Sequence, residues 1–168
     1  MTPTTALQLE FADGEYLFDL KLPQLLELQE KCGNVGALRI RARVLQGRYL
    51  LDGGTIGVPS EGEAFVEDLF ETIRLGLIGG GLGIVNGAEV AVNAITANKL
   101  VERYCHPAPL REAWTLAAAI LAARFEGYTP PANKKKARRA AKPVTRTPRS
   151  NSSRSPKTAA SSAPTGDS

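Results

Sequence analysis

The sequence has few of the residues on which catalytic and metal sites usually depend. It contains one histidine, two cysteines and one tryptophan in 168 residues, and aromatic residues make up only 6%. Cys32 and Cys105 belong to no pair with metal-ligand spacing, so a zinc site is not indicated, and both fit small apolar core residues in a reducing compartment. His106 directly follows Cys105, which is a poor geometry for a catalytic dyad. We therefore expect His106 to be a surface residue near the end of a helix.

Long apolar segments and a secretory leader are also lacking. The longest largely apolar stretch, from Trp114 to Ala123, is far shorter than the ~20 residues that span a bilayer. The first residues contain no basic segment followed by an apolar core, which a signal peptide would require. We expect a soluble, cytoplasmic protein with no membrane partner.

Charge and apolar residues divide the chain into two parts. Residues 1–130 contain every Phe, Tyr and Trp, and carry 11 Lys and Arg against 16 Asp and Glu, a net charge of −5. Residues 131–168 carry 10 Lys and Arg against one Asp, a net charge of +9. Without large apolar residues beyond Val144, this part cannot offset a backbone ordering cost of roughly 1–2 kcal/mol per residue. The composition predicts a folded domain at 1–128 and a disordered basic tail at 129–168.

The periodicity of the domain predicts a mainly α fold with an N-terminal β-hairpin, which is an α+β class. Alternating residues at 7–11 and 15–20 flank Ala12-Asp13-Gly14, and Asp-Gly between such runs is a strong hairpin signal. Apolar residues at three- and four-residue spacing predict five helices. They begin near residues 23, 35, 60, 86 and 109. Between the second and third helices, residues 47–62 predict a long glycine-rich loop with a short strand at 49–51.

The second, third and fourth helices carry more specific expectations. In the second, Leu38, Ala42 and Leu45 predict the buried stripe. Its three arginines suit either a phosphate backbone or a solvated face, and we prefer the solvated face. They are Arg39, Arg41 and Arg43. Two residue pairs with the spacing of a capping box mark the starts of the third and fourth helices: Ser60 with Glu63, and Asn86 with Glu89.

Three consecutive glycines end the third helix, and we expect the other helices to pack around this corner. Glycine can cap a helix end, reverse the chain tightly and let neighbouring backbones approach. The predicted turn residues are Asp13, Gly14, Gly79, Gly80 and Gly81. A phosphate-binding loop is not indicated, because the glycines match neither nucleotide-binding pattern and follow a helix instead of a strand. Glutamates 63, 67 and 71 suit a metal site, an acid/base pair or the positive end of the helix dipole, and we favour the dipole.

The basic tail has enough charge to bind nucleic acid or an acidic partner weakly and without sequence specificity. It lacks interleaved aromatic residues, so its attraction to nucleic acid would depend on salt and would not read bases. A solvated tail with no partner explains the composition equally well. The residues concerned are Lys134, Lys135, Lys136, Arg138, Arg139 and Lys142.

Several motifs occur in an order that resembles one known family. They are DGEY at 13–16, LLELQEKCG at 25–33, ETIRLGLIGGG at 71–81, LVERY at 100–104, PL at 109–110 and AIL at 119–121. Together they resemble the small tail proteins of gene transfer agents and siphophages, which are regarded as tail assembly chaperones and sometimes labelled tail tube proteins. The resemblance covers residues 7–127. The segments at 53–62 and 82–96 are longer than in that family.

The resemblance implies a non-enzymatic protein without cofactor or metal that binds the tape measure protein and assists assembly of tail tube protein. Such a protein would act in the host cell and be absent from the mature particle. A helical client would need an apolar face, for which we predict Leu110, Trp114 and Leu121, positioned by Leu75, Leu77 and Ile78. The same residues also suit a core. A structural tail tube subunit and a nucleic-acid-binding accessory protein are the alternatives.

Overall fold

The computed structural model describes residues 3–46, 49–50, 56–57 and 63–129. The predicted basic tail and most of the predicted glycine-rich loop lie outside these residues. In chain order the elements are β1 (Leu7–Phe11), β2 (Gly14–Phe18), α1 (Leu22–Lys31), α2 (Ala37–Leu45), β3 (Tyr49–Leu50), β4 (Ile56–Gly57), α3 (Val66–Gly80), β5 (Leu82–Val85), β6 (Ala88–Ala91), α4 (Ala94–Leu100), a π-helical segment (Val101–Cys105) and α5 (Leu110–Glu126). The protein therefore has a mixed α+β fold.

A four-stranded antiparallel sheet has the strand order β1-β2-β5-β6, while β3 pairs separately with β4. The predicted N-terminal hairpin is present, and a two-residue turn connects its strands. Ala12 takes the positive φ of 57° in this turn, whereas Gly14 already pairs with Phe11 in the ladder. The prediction of Gly14 as a turn residue was wrong. A β-carbon at Gly14 would lie 3.1 Å from the carbonyl carbon of Ile84, so the glycine allows β5 to approach β2.

The predicted helix from Asn86 was wrong over its first part, because residues 82–91 form a second hairpin. Asn86 and Gly87 make its turn with φ values of 51° and 80°. Asn-Gly is the preferred pair for a turn with two positive φ values, and here it outweighs the capping-box spacing. The helix begins at Ala94, where the Asn93 side chain accepts a hydrogen bond of 2.9 Å from the Thr96 N–H. Residues 82–91 thus supply two strands of the sheet.

Helix α3 lies at the centre of the domain and packs against β2, α1, α4 and α5. Its apolar residues Leu69, Ile73 and Leu77 are almost completely buried. The helix begins at Val66, later than predicted, and the N–H of Phe65 donates to Asp68 Oδ2 over 3.0 Å. Because this carboxylate satisfies the helix end, the predicted capping pair at 60 and 63 does not mark the start of α3.

The glycine-rich end of α3 lets another backbone segment cross it. Gly79 and Gly80 are helical, so predicting them as turn residues was wrong, and only Gly81 has a positive φ, of 69°. The N–H of Asp19 donates to the carbonyl of Gly76 over 2.9 Å. A β-carbon at Gly80 would lie 2.5 Å from the carbonyl carbon of Leu17. A β-carbon at Gly79 would likewise clash with the carbonyl oxygen of Asp19. Gly79 and Gly80 are therefore both needed, because no side chain fits between α3 and the end of β2.

Helix α2 buries a different face from the predicted one. Ile40 and Val44 are completely buried, whereas Leu38 is 69% exposed. The i, i+4 pair of β-branched residues is the one that contacts the domain, since α2 lies between α5 and the start of α3. Both stripes have helical spacing, so periodicity alone did not distinguish them.

Two of the three arginines of α2 form ion pairs with other helices, so the prediction of a solvated face holds only for Arg39. Arg43 pairs with Asp68 over 3.1 Å, and their side chains are 11% and 0% exposed. Arg41 pairs with Glu126 at the end of α5. A buried carboxylate requires such a partner, because leaving it unpaired would cost several kilocalories per mole.

Helix α5 occupies the predicted range, with Pro109 at its N-terminal end and Gly127, at φ 79°, after its last residue. The Trp114 indole N–H donates to the carbonyl of Val44 over 2.7 Å and joins α5 to the last turn of α2. That carbonyl is one of those that a helix end leaves without an internal partner. Among the described residues, no helix has both the length and the apolar character to cross a bilayer.

Candidate functional site

The six residues predicted to form or to position a partner-binding face do not form one accessible surface. Leu75, Leu77 and Leu121 are completely buried, so the prediction that they contribute to such a face was wrong, and these residues belong to the core. Ile78 and Trp114 are half-buried, and the indole N–H of Trp114 is used within the domain. Leu110 alone among the six is exposed, at 47%. The alanines of α5 allow close packing on α3, which removes the predicted leucine face from solvent.

An open groove of about 780 Å³ lies between β1 and the N-terminal half of α5. Leu9 and Phe11 line one wall, Leu116 and Ala119 line the other, and Tyr104 lies with them at the end of the π-helical segment. Its volume is in the range of sites that bind small molecules or peptide side chains, and most of these walls are apolar. We regard this β1/α5 groove as the candidate functional site.

Within the described residues, β1 is an edge strand of the sheet, and the groove lies beside it. Leu9 and Phe11 point to the helical side of the sheet but remain half-buried, whereas Phe18 on the next strand is completely buried. Phe11 packs edge-on against Tyr16, Phe18 and Tyr104, with ring centroids 6.0, 5.8 and 6.4 Å apart. These contacts hold the Phe11 ring in place. The aromatic cluster therefore forms a fixed wall, while the side toward α5 stays accessible.

Charged side chains also line the groove, with Glu10 on β1 and Arg111 and Glu112 on α5. Glu10 lies on the opposite face of β1 from Leu9, and it pairs directly with Glu15 on β2. A second cavity, of about 610 Å³, extends over this face and is lined by Glu10, Glu15 and Ile84. The groove and this cavity share residues 10–12 of the hairpin. An apolar cleft and an acidic sheet face thus meet along β1.

Two weakly acidic side chains near the groove, those of Cys105 and Tyr16, have raised pKa values. Burial, and to a smaller extent the nearby carboxylate of Glu112, raises the pKa of the Cys105 thiol from its ordinary 9.0 to about 11. Burial, followed by a 2.7 Å hydrogen bond from its hydroxyl to Asp13, raises the pKa of Tyr16 to about 12. Both groups are protonated at neutral pH. Cys105 therefore does not supply a thiolate nucleophile at neutral pH.

The remaining residues considered from the sequence lie on another side of α3. The exposed His106 places its ring 4.9 Å from that of Phe70, and Arg74 bonds both Glu71 and Glu27. Glu63 precedes the helix, so it does not share a helical face with Glu67 and Glu71. Over the described ranges, no group of three or more Cys, His, Asp or Glu side chains is placed to hold a metal ion.

The sequence did not indicate the groove, because the predicted apolar face included no residue of β1. The alternation at 7–11 puts Leu9 and Phe11 on one face of the hairpin, but the position of β1 at the sheet edge depends on the second hairpin, which was not predicted. Leu116 carried a usable signal. It is a large apolar residue of α5 that falls outside the stripe which Leu110, Trp114, Ala117 and Leu121 form at three- and four-residue spacing.

Comparisons of the chain with protein-family models, with curated proteins and with solved structures found no match.

Proposed function

We propose that this protein is a non-enzymatic tail assembly chaperone of a gene transfer agent or siphophage, and that it binds the tape measure protein before tail tube subunits polymerise around it. The ordered motifs between residues 13 and 121 support the choice of family. The observation that carries the binding role is the β1/α5 groove, an open apolar cleft of about 780 Å³ beside an outer strand.

The groove suits a chaperone because it can cover apolar side chains without chemically altering them. Burying one large apolar side chain contributes ~1.5–3 kcal/mol, so a few such contacts give reversible binding. The wall from β1 is fixed by the Phe11 cluster, which limits the entropy lost when a client binds. These features support transient capture of a long, partly apolar chain.

The test is co-expression with the tape measure protein encoded by the same genome, followed by pull-down at low and high salt. Apolar contacts persist when exposed charges are screened, so we expect the complex to survive high salt. We also expect purified particles to lack the protein. Failure to form a complex at either salt concentration, together with the protein's presence in mature particles, would contradict the proposal.

A structural subunit of the tail tube is the second candidate function. The four-stranded sheet supports it better than the single hairpin that was predicted from the sequence. A tube ring needs strands that can pair between subunits, and β1 and β6 are the outer strands of a four-stranded sheet. If the protein is a tube subunit, the purified protein should form rings in electron micrographs and should be present in finished tails in stoichiometric amounts. If it is a chaperone, neither result is expected.

A further inference from the structure

The outer edge of β1 is open for pairing. Strand β1 is the first in the sheet order, and within the part of the chain that the structure describes it pairs with β2 alone. Just before it, Thr4 and Tyr128 exchange two backbone hydrogen bonds, of 2.9 and 2.7 Å. The free edge therefore extends over the five residues from Leu7 to Phe11. An open edge presents unpaired N–H and C=O groups to which another strand can bond.

The two faces of β1 offer different surroundings to an added strand. On the helical side, an incoming side chain would enter the groove between Phe11 and Leu116. On the opposite side it would lie beside Glu10, with Glu15 on the next strand. The four strands of the sheet contain three glutamates and no lysine or arginine. Because side chains alternate along a strand, the two environments select alternate residues of one segment.

We infer that the β1 edge binds an extended segment of a partner protein in which apolar residues alternate with basic ones, and that this segment adds a fifth strand to the sheet. The inference deepens the proposed function and rests on it, since it gives the site and the chemistry of the client segment. Backbone hydrogen bonds along β1 supply affinity. The groove and the acidic face supply specificity.

The acidic residues on the outer face of the sheet favour a segment with basic residues over a neutral one. Glu10 and Glu15 face each other directly, and like charges in that position are unfavourable. The Gln8 side chain donates to Glu15 over 2.8 Å but brings no positive charge. Glu89 lies one pair further along the same face, opposite Ile84. A lysine or arginine above this row would neutralise charges that the sheet itself leaves without a cation.

The opposite edge of the sheet is a poorer site. Strand β6 has four residues, and the side chains of Ala88, Glu89 and Ala91 are exposed. An added strand there would have acidic surroundings but would not enter the β1/α5 groove. The same segment therefore gains apolar burial only at β1.

The direct test uses a synthetic peptide in which leucine alternates with lysine over about ten residues, labelled for fluorescence anisotropy. Exchange of backbone amide hydrogens is followed in parallel on the full chain. We expect binding together with slower exchange across β1. A peptide in which leucine alternates with glutamate should bind at least about tenfold more weakly, because it places like charges over the sheet. Binding of the lysine peptide without protection of β1 would overturn the inference.

Variants of the acidic sheet face and of the groove separate the contributions of charge and of apolar contact to peptide binding. Glu10→Lys with Glu15→Lys should weaken binding of the lysine peptide about tenfold or more and improve binding of the glutamate peptide. The matched control reverses two exposed glutamates outside the sheet, Glu30 and Glu102, and should leave both affinities unchanged. Equal effects of the two double variants would overturn the inference.

The groove wall is tested by Leu116→Ser, compared with Leu26→Ser on the exposed face of α1, where the leucine is 54% exposed. We expect weaker peptide binding only for the first, with urea unfolding used to verify that both variants are folded. Two further results would count against the inference: equal binding by both serine variants, and self-association of the free protein through β1.

The same sheet variants distinguish this inference from the proposed function. If the tape measure protein binds the wild type and the Glu10→Lys, Glu15→Lys variant equally well, the chaperone function stands and the β1 site is wrong. If the peptide binds β1 as expected but the tape measure protein never binds, the site stands and the proposed client is wrong.

Discussion

Replacing Gly80 with alanine tests the close crossing between the end of β2 and α3. The new β-carbon would lie 2.5 Å from the carbonyl carbon of Leu17, whereas non-bonded carbons normally stay ~3.5 Å apart. The two backbones must therefore separate by at least ~1 Å, because the carbonyl oxygen of Leu17 would lie closer still to the new β-carbon. In an exposed helix, replacing glycine with alanine would stabilise the protein by ~1 kcal/mol. Here overpacking costs ~1–3 kcal/mol, and weakening the hydrogen bond from Asp19 to Gly76 costs ~1 kcal/mol more. We expect a net loss of about 2 kcal/mol.

The assay is urea unfolding of the full chain, followed by the fluorescence of Trp114, its single tryptophan. Gly36→Ala is the matched control, because φ at Gly36 is −63° and a β-carbon there would meet nothing within 4 Å. Alanine at this N-cap position restricts the unfolded chain, which stabilises the protein, but it is a poorer helix cap than glycine, which destabilises it. Because the two effects oppose each other, we expect the free energy of unfolding to change by less than ~0.5 kcal/mol. A Gly80→Ala protein as stable as the wild type would refute the crossing.

Four further predictions concern separate parts of the chain. Trp114→Phe removes the hydrogen bond to the end of α2 and should lower the free energy of unfolding by ~1 kcal/mol, measured by circular dichroism in urea. Asp68→Ala leaves Arg43 largely buried without its partner and should cost ~3–5 kcal/mol in the same experiment, and a cost below ~1 kcal/mol would contradict that ion pair. Because the folded Cys105 thiol keeps its proton above pH 9.0 while the unfolded thiol loses it, stability should fall as pH rises from 9.0 toward about 11, and less steeply in Cys105→Ala. Truncation after Pro130 should abolish any salt-sensitive DNA binding seen in a filter or anisotropy assay, and binding retained by the truncated chain would exclude the basic tail as its source.

Local signals in the sequence predicted individual elements well. Asp13 in the first hairpin turn, Pro109 before α5 and Gly127 after it mark element ends in the structure as they do in the sequence. These signals act over two to four residues, so tertiary contacts rarely override them. Where two local signals competed, at Asn86, the turn preference of Asn-Gly prevailed over the spacing of a helix cap.

Contacts between distant residues were not predictable in the same way. Nothing in the spacing of α2 distinguished Ile40 from Leu38, and nothing near Arg43 indicated that Asp68, 25 residues later, would be its partner. Burial of a helix face depends on which elements pack against it. Neither hydrophobic periodicity nor charge counting contains that information.

Composition and turn chemistry are local properties, so they were enough to predict the compositional division of the chain, the first hairpin and the range of α5. Only the packed fold shows that Gly79 and Gly80 serve a backbone crossing, that Leu75, Leu77 and Leu121 are core residues, and that β1 lies at the edge of the sheet beside a groove. Each of these depends on the distance between segments far apart in the chain. That distance is set when apolar surfaces pack, and packing optimises all elements together.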